Sequence, residues 1–173
     1  MKKNKLLLLA GVCSLLTGCG GQKYTNIMEE DMMPGITVKA ESTLTLKTTT
    51  FKMVQECSMS VTDAVGALAM LGGGVEMSYT FTYTGDALQS ETNENEWKLT
   101  VNTILVSGYK SEGDGKKYVD EIYKTTFEAM FTEDTVKNIM EGKKVKVELE
   151  DDQKTTDTVV VDNENMTFTY NIF

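Results

Sequence analysis

Val75-Glu76-Met77-Ser78-Tyr79-Thr80-Phe81-Thr82-Tyr83-Thr84-Gly85-Asp86 alternates apolar and polar residues without a break from Val75 to Thr84. A period of two is the mark of a half-buried β-strand, because successive side chains point to opposite faces. Val75, Met77, Tyr79, Phe81 and Tyr83 would face a core, with Glu76 and a Ser/Thr row facing water. Gly85-Asp86 reads as the end of that strand, with a hairpin partner beginning at Ala87.

The same period extends upstream. Ile36, Val38, Ala40, Leu44 and Leu46 share one parity. Phe51, Met53, Cys57, Met59 and Val61 share the other, and the switch places a turn or bulge near residues 47–50. Downstream, Asn93-Glu94-Asn95-Glu96 is a polar loop. Trp97, Leu99 and Val101, with Ile104, Leu105 and Val106, make a further strand. The period then changes. Val119, Ile122, Tyr123, Thr126, Phe127, Met130 and Phe131 recur at i, i+3, i+4, which predicts an amphipathic helix with Asp114 offered as its cap. Thr132 is placed to cap a second, short helix over 133–141, with acids in its first turn and Gly142 after its end. Val145 to Leu149, Val159 to Val161 and Met166 to Ile172 read as three more strands. Sequential strands joined by short polar links predict an α+β fold: an antiparallel meander sheet with the helical pair packed on one face. A small β-barrel with a covering helix is the alternative.

The N-terminus reads as an address. Lys2-Lys3-Asn4-Lys5 precedes an apolar run, and Leu16-Thr17-Gly18-Cys19 closes it. A basic n-region, a short apolar h-region and a small-residue cleavage site define a secretory signal. The 13 residues from Leu6 to Gly18 are too few to span a bilayer, which needs about 20. Leu-Thr-Gly-Cys resembles the lipobox of bacterial lipoproteins. That resemblance implies cleavage between Gly18 and Cys19, a diacylglycerol and palmitate anchor on Cys19, and an outward-facing, membrane-held protein. A simple secretory signal is the other reading. The expected organisation is a signal peptide over 1–18, a flexible tether over 19–35 containing Pro34-Gly35, and one domain over 36–173.

Composition narrows the chemistry. The chain has 17 basic and 26 acidic residues, no histidine, and lysine as its only basic residue type. Loss of the three n-region lysines would leave 14 lysines against 26 acids, a net charge of −12. Such a surface repels nucleic acid and anionic headgroups. Without histidine the usual general base and the commonest zinc ligand are missing. Without arginine there is no bidentate fork for carboxylate or phosphate. These absences point away from an enzyme and from any cofactor or metal. Once Cys13 leaves and Cys19 is lipidated, only Cys57 remains, so the domain has no internal disulfide. Cys57 shares the parity of Met53 and Met59 and reads as a buried small apolar residue.

Three features are candidates for a site. The first is Val61 to Gly74, apolar and ending in Gly72-Gly73-Gly74. It reads as a core helix, or as an apolar flap in which Val65, Leu68, Met70 and Leu71 cover a groove for a lipid or amphipathic ligand. The second is the aromatic row Tyr79, Phe81 and Tyr83, core or groove rim. The third is the set of acidic residues at Glu91 to Glu96, Asp151-Asp152, Asp157 and Asp162 to Asn165. None matches an Asp-x-Asp-x-Asp-Gly calcium loop, and they read as solvated turns.

Several pieces resemble the small YehR-like bacterial lipoproteins: the lipobox, Tyr79-Thr80-Phe81-Thr82-Tyr83-Thr84-Gly85-Asp86, the helix around Tyr118 to Phe131, and the stretch Gly142 to Asp162. That resemblance implies a surface lipoprotein and lends no catalytic residues. The expected function is therefore non-enzymatic binding of an apolar or amphipathic small ligand, or of an envelope partner, at a membrane surface. The alternative is a structural or adhesion-type surface lipoprotein without a ligand pocket.

Overall fold

The computed structural model describes residues 21–33, 35–62 and 73–170. Among these, the elements in chain order are β1 (Gln22–Met33), β2 (Ile36–Leu46), β3 (Thr50–Val61), β4 (Val75–Gln89), β5 (Glu96–Gly113), α1 (Lys116–Glu128), α2 (Glu133–Met140), β6 (Val145–Glu148), β7 (Thr156–Asp162) and β8 (Thr167–Tyr170).

Strands β1 to β5 form an antiparallel meander, and the sheet does not stay open. β5 pairs with β7, β7 with β8, and β8 with β1, giving a closed seven-stranded barrel. Neighbours in a ring with an odd number of strands cannot all be antiparallel, and here β1 and β8 are the parallel pair. β6 lies beside β7 on the same edge of β5, opposite Thr103–Val106. The expected open meander with a helical pair on one face is thus corrected. Strands take 58% of the chain and helices 15%, and the strands close on themselves. A barrel stood only as the alternative, and the sequence did not mark the strands that close it, because closure rests on very little. Thr25 faces Thr167, the Thr25 N–H donates to Met166 O (2.9 Å), and Asn26 Nδ2 donates to Phe168 O (2.8 Å) across 142 residues of chain.

Residues Gln22–Met33, expected within the tether, form β1, paired with β2 from Gln22–Leu46 to Met33–Ile36. Apolar alternation does not betray this strand. Backbone pairing with β2 defines it, Tyr24 is its one deeply buried side chain among those described, and Ile27 and Met28 are more than half exposed.

The β4 alternation holds as read. Val75, Met77 and Phe81 are buried, and Tyr79 and Tyr83 are half-buried on the same face. Register carries that face around the wall: Tyr24, Leu44, Met53, Tyr83 and Ile104 lie side by side on five successive strands. The strand does not end at Gly85, however. It runs on to Gln89, and Gly85 serves as a point of close approach. A Cβ there would lie 1.9 Å from Thr100 O and 2.9 Å from Asn102 N.

β5 is long because two bulges bend it. One sits between the Thr84–Thr103 and Gly85–Val101 pairs, leaving Asn102 extra. The other lies between Ser78–Lys110 and Thr80–Ser107, where Gly108 adopts φ +68°. Each extra residue flips the buried parity. Leu99 and Val101 are followed by Ile104 and Val106, then by Tyr109 and Ser111. The mixed apolar pattern of this region has that cause.

The two helices pack against β4, β5 and β6. α1 buries Val119 and Phe127, but Ile122 and Met130 of the expected face are about half exposed, and α2 buries Val136 and Ile139. The N-cap of α1 is Gly115 rather than Asp114. The Gly115 N–H donates to Gly74 O (3.2 Å), which fixes the helix start against the β4 entry.

Candidate functional site

Inside the barrel, the aromatic row meets the helix. Phe127 of α1, fully buried, has its ring centroid 5.5 Å from Tyr79, 6.3 Å from Phe81, 6.0 Å from Tyr109 and 6.2 Å from Tyr123. Most of these contacts are edge-to-face, the arrangement that the ring quadrupoles favour. Tyr79, Phe81 and Tyr83 pack against one another, Tyr79 and Phe81 also against Phe127, and Tyr79 borders a hollow in the wall as well. The remaining expected site residues, Gly18, Cys19, Val65, Leu68, Met70 and Leu71, lie outside the described residues.

Cys57 sits under this cluster, hydrogen-bonded to Tyr79. Burial pushes its thiol up, and the Tyr79 bond only partly offsets this. The thiol is therefore protonated near neutral pH, the opposite of a nucleophilic cysteine. Burial also raises Tyr79, Tyr83, Tyr123 and Tyr170, so none of them ionises at physiological pH. The Tyr170 hydroxyl lies 2.8 Å from Met53 Sδ. The chemistry of this interior is that of packed, neutral groups.

One polar network escaped the sequence reading. Asp120 of α1 accepts hydrogen bonds through Oδ1 from the Tyr109 hydroxyl (2.8 Å) and the Ser111 hydroxyl (2.5 Å). Its Oδ2 pairs with Lys116 Nζ at 3.0 Å, and Lys116 also donates to Ser111 Oγ (2.6 Å). Its one sequence signal was the i, i+4 spacing of Lys116 and Asp120. Partial burial works against the carboxylate charge, but the bonds from Ser111, Tyr109 and Lys116 together outweigh it and hold the pKa below the usual range. A depressed acid contributes stability above its unfolded pKa, and that contribution is lost as pH falls through the folded value. Asp120→Asn is therefore expected to cost about 1–2 kcal/mol at pH 7. The gap from the parent should begin to narrow below about pH 4 and close once the pH falls below the lowered folded value. Urea denaturation at pH 7 and pH 3 checks this; an equal gap at both would show that the charge is not what ties α1 to β5.

Two hollows lie on the outside. One, about 340 Å³, is lined on the outer face by Lys39, Glu41, Glu56, Ser58, Ser78 and Thr80, with Lys39 and Glu41 ion-paired across it. The other, about 480 Å³, lies where β4 and β5 outrun β3, beside Asp86, Leu88, Lys98, Thr100 and Thr156. Next to it, Asn102 Nδ2 donates to Asp86 Oδ2 (2.9 Å), while Asn102 Oδ1 is buried without a partner. Both hollows are open to solvent, unlike the enclosed apolar cavity that suits a lipid.

The acidic turns explain themselves locally. Asp162 accepts the backbone N–H groups of Glu164 and Asn165 through Oδ1, and Asn165 Nδ2 through Oδ2, which builds the β7–β8 turn. Among the described residues no cluster of acids and cysteine has the grouping of a metal site, and no helix is long and apolar enough to cross a membrane.

The fold defines a class: a small closed β-barrel with two helices packed against β4, β5 and β6. Comparison of the chain with family models, with curated proteins and with solved structures finds no match.

Proposed function

We propose that the protein is a bacterial surface lipoprotein, held by lipid on Cys19, whose barrel is a structural or adhesion-type module rather than a carrier of small ligands. The observation that carries the second half is the filled interior. Tyr24, Leu44, Val106, Val119, Phe127, Val136, Ile139, Val159 and Phe168 are all fully buried. A carrier of apolar ligands needs several hundred Å³ of enclosed apolar space. Here Phe127 and the Tyr79 row occupy the place where such a ligand would sit. The lipid anchor is supported by the lipobox Leu16-Thr17-Gly18-Cys19 and by the likeness of several short segments to YehR-like lipoproteins.

Growth with labelled fatty acid tests the anchor: the parent should take up label and Cys19→Ala should not. An unlabelled parent protein sinks the anchor. Native mass spectrometry of the same protein tests the module. A mass accounted for by the chain and its own lipid is expected, whereas a co-purifying apolar ligand would restore the carrier reading.

A further inference from the structure

In the sequence, only Gly20 and Gly21 stand between Cys19 and Gln22, where β1 begins. Three residue steps reach at most about 10 Å. A lipid on Cys19 therefore keeps the start of β1 close to the bilayer. That start belongs to a rim of turns bonded to one another. The Tyr24 hydroxyl lies 2.8 Å from Gln22 Oε1 and 2.7 Å from Asn163 Oδ1. Asn163 Nδ2 donates to Asn95 Oδ1 (2.9 Å), and the Val161 N–H donates to Asn95 O (2.8 Å). The entry of β1, the β4–β5 loop and the β7–β8 turn thus share one end of the barrel.

The opposite end holds Ile36, Val61, Val75 and Gly113, which are successive register partners, together with the first turn of α1. A twelve-residue strand is about 40 Å long, and a barrel strand tilts by about 40°, so the two ends are roughly 30 Å apart.

We propose that the barrel stands upright on the membrane, with the Gln22–Asn95–Asn163 rim against the lipid headgroups and the first turn of α1 facing away. This stance rests on the reading that Cys19 is lipidated. The rim carries exposed charges of both signs, Lys23 and Lys47 with Glu91, Glu94, Asp162 and Glu164. Such a surface suits contact with a zwitterionic headgroup layer without insertion into the hydrocarbon. Tyr118 and Ile122, about half exposed on α1, are then held out of reach of the bilayer.

The single tryptophan, Trp97, opens β5 beside the rim, opposite Gln89 and Val159, and is a native reporter of that end. The test uses the full lipidated protein in phosphatidylcholine vesicles that contain a nitroxide-headgroup lipid. Trp97 fluorescence should be quenched severalfold more strongly than that of a Tyr118→Trp reporter in a Trp97→Phe background. If the doubly changed chain fails to fold, Tyr118→Trp alone serves: its quenched fraction should fall below that of the parent. Equal or reversed quenching in vesicle-bound protein overturns the upright stance. Protein that does not float with the vesicles refutes the lipid on Cys19 itself, and the stance with it.

Discussion

Replacing Phe127 with alanine is expected to lower the unfolding free energy by about 4 kcal/mol, the usual scale for a large core aromatic. Phe127 is fully buried, and four other aromatic rings surround it. Their positions are fixed by β4, β5 and α1, so the wall has little freedom to collapse into the space left behind. A domain of this size has only about 5–15 kcal/mol in total. The variant should therefore melt at much lower urea, with loss of near-ultraviolet dichroism. A cost below about 1 kcal/mol would show that α1 is an ornament on a barrel that is stable without it.

Gly85→Ala is expected to cost about 3 kcal/mol, for a different reason. The added methyl has no cavity to enter and meets the Thr100 carbonyl oxygen at 1.9 Å, a backbone atom that cannot swing aside. Relief requires β4 and β5 to part at the Asn102 bulge. Gly108→Ala is the control. Its φ of +68° penalises a side chain, yet nothing lies within 4 Å of the added atom. A conformational cost of about 1 kcal/mol is all that should appear. Urea midpoints of the two variants decide the matter: equal losses would mean that the close contact at Gly85 is relieved without cost.

The β4 alternation, part of the α1 face and the inward parity of β2 and β3 were legible in the sequence because each depends on burial of one face, and burial writes itself as period. What stayed hidden depends on backbone. β1 carries Glu29 and Glu30 and exposes Ile27 and Met28, so its pairing with β2 left no apolar signature. Closure hangs on one parallel contact at Thr25. The Gly85-Asp86 pair looks like a turn from composition, and only the proximity of Thr100 shows why glycine stands in mid-strand. The aromatic row was found but not its function. Alternation cannot distinguish a ring that lines a ligand groove from one that packs on a helix residue more than 40 positions away, as Tyr79 and Phe81 do on Phe127. Asp120 was missed because its partners Tyr109 and Ser111 become its neighbours only after β5 bends at Gly108.

The seam between β1 and β8 also sets an order in time. A chain made from its N-terminus presents β1 long before residue 167 exists, so the first strand must wait with one edge bare. Long-range closures of this kind slow folding, and a bare edge invites pairing with other chains. Glu29 and Glu30, exposed on that strand, supply the charge that discourages such pairing. The acids that hide β1 from a reading of periodicity thus act as its chaperone during the interval before the ring is complete.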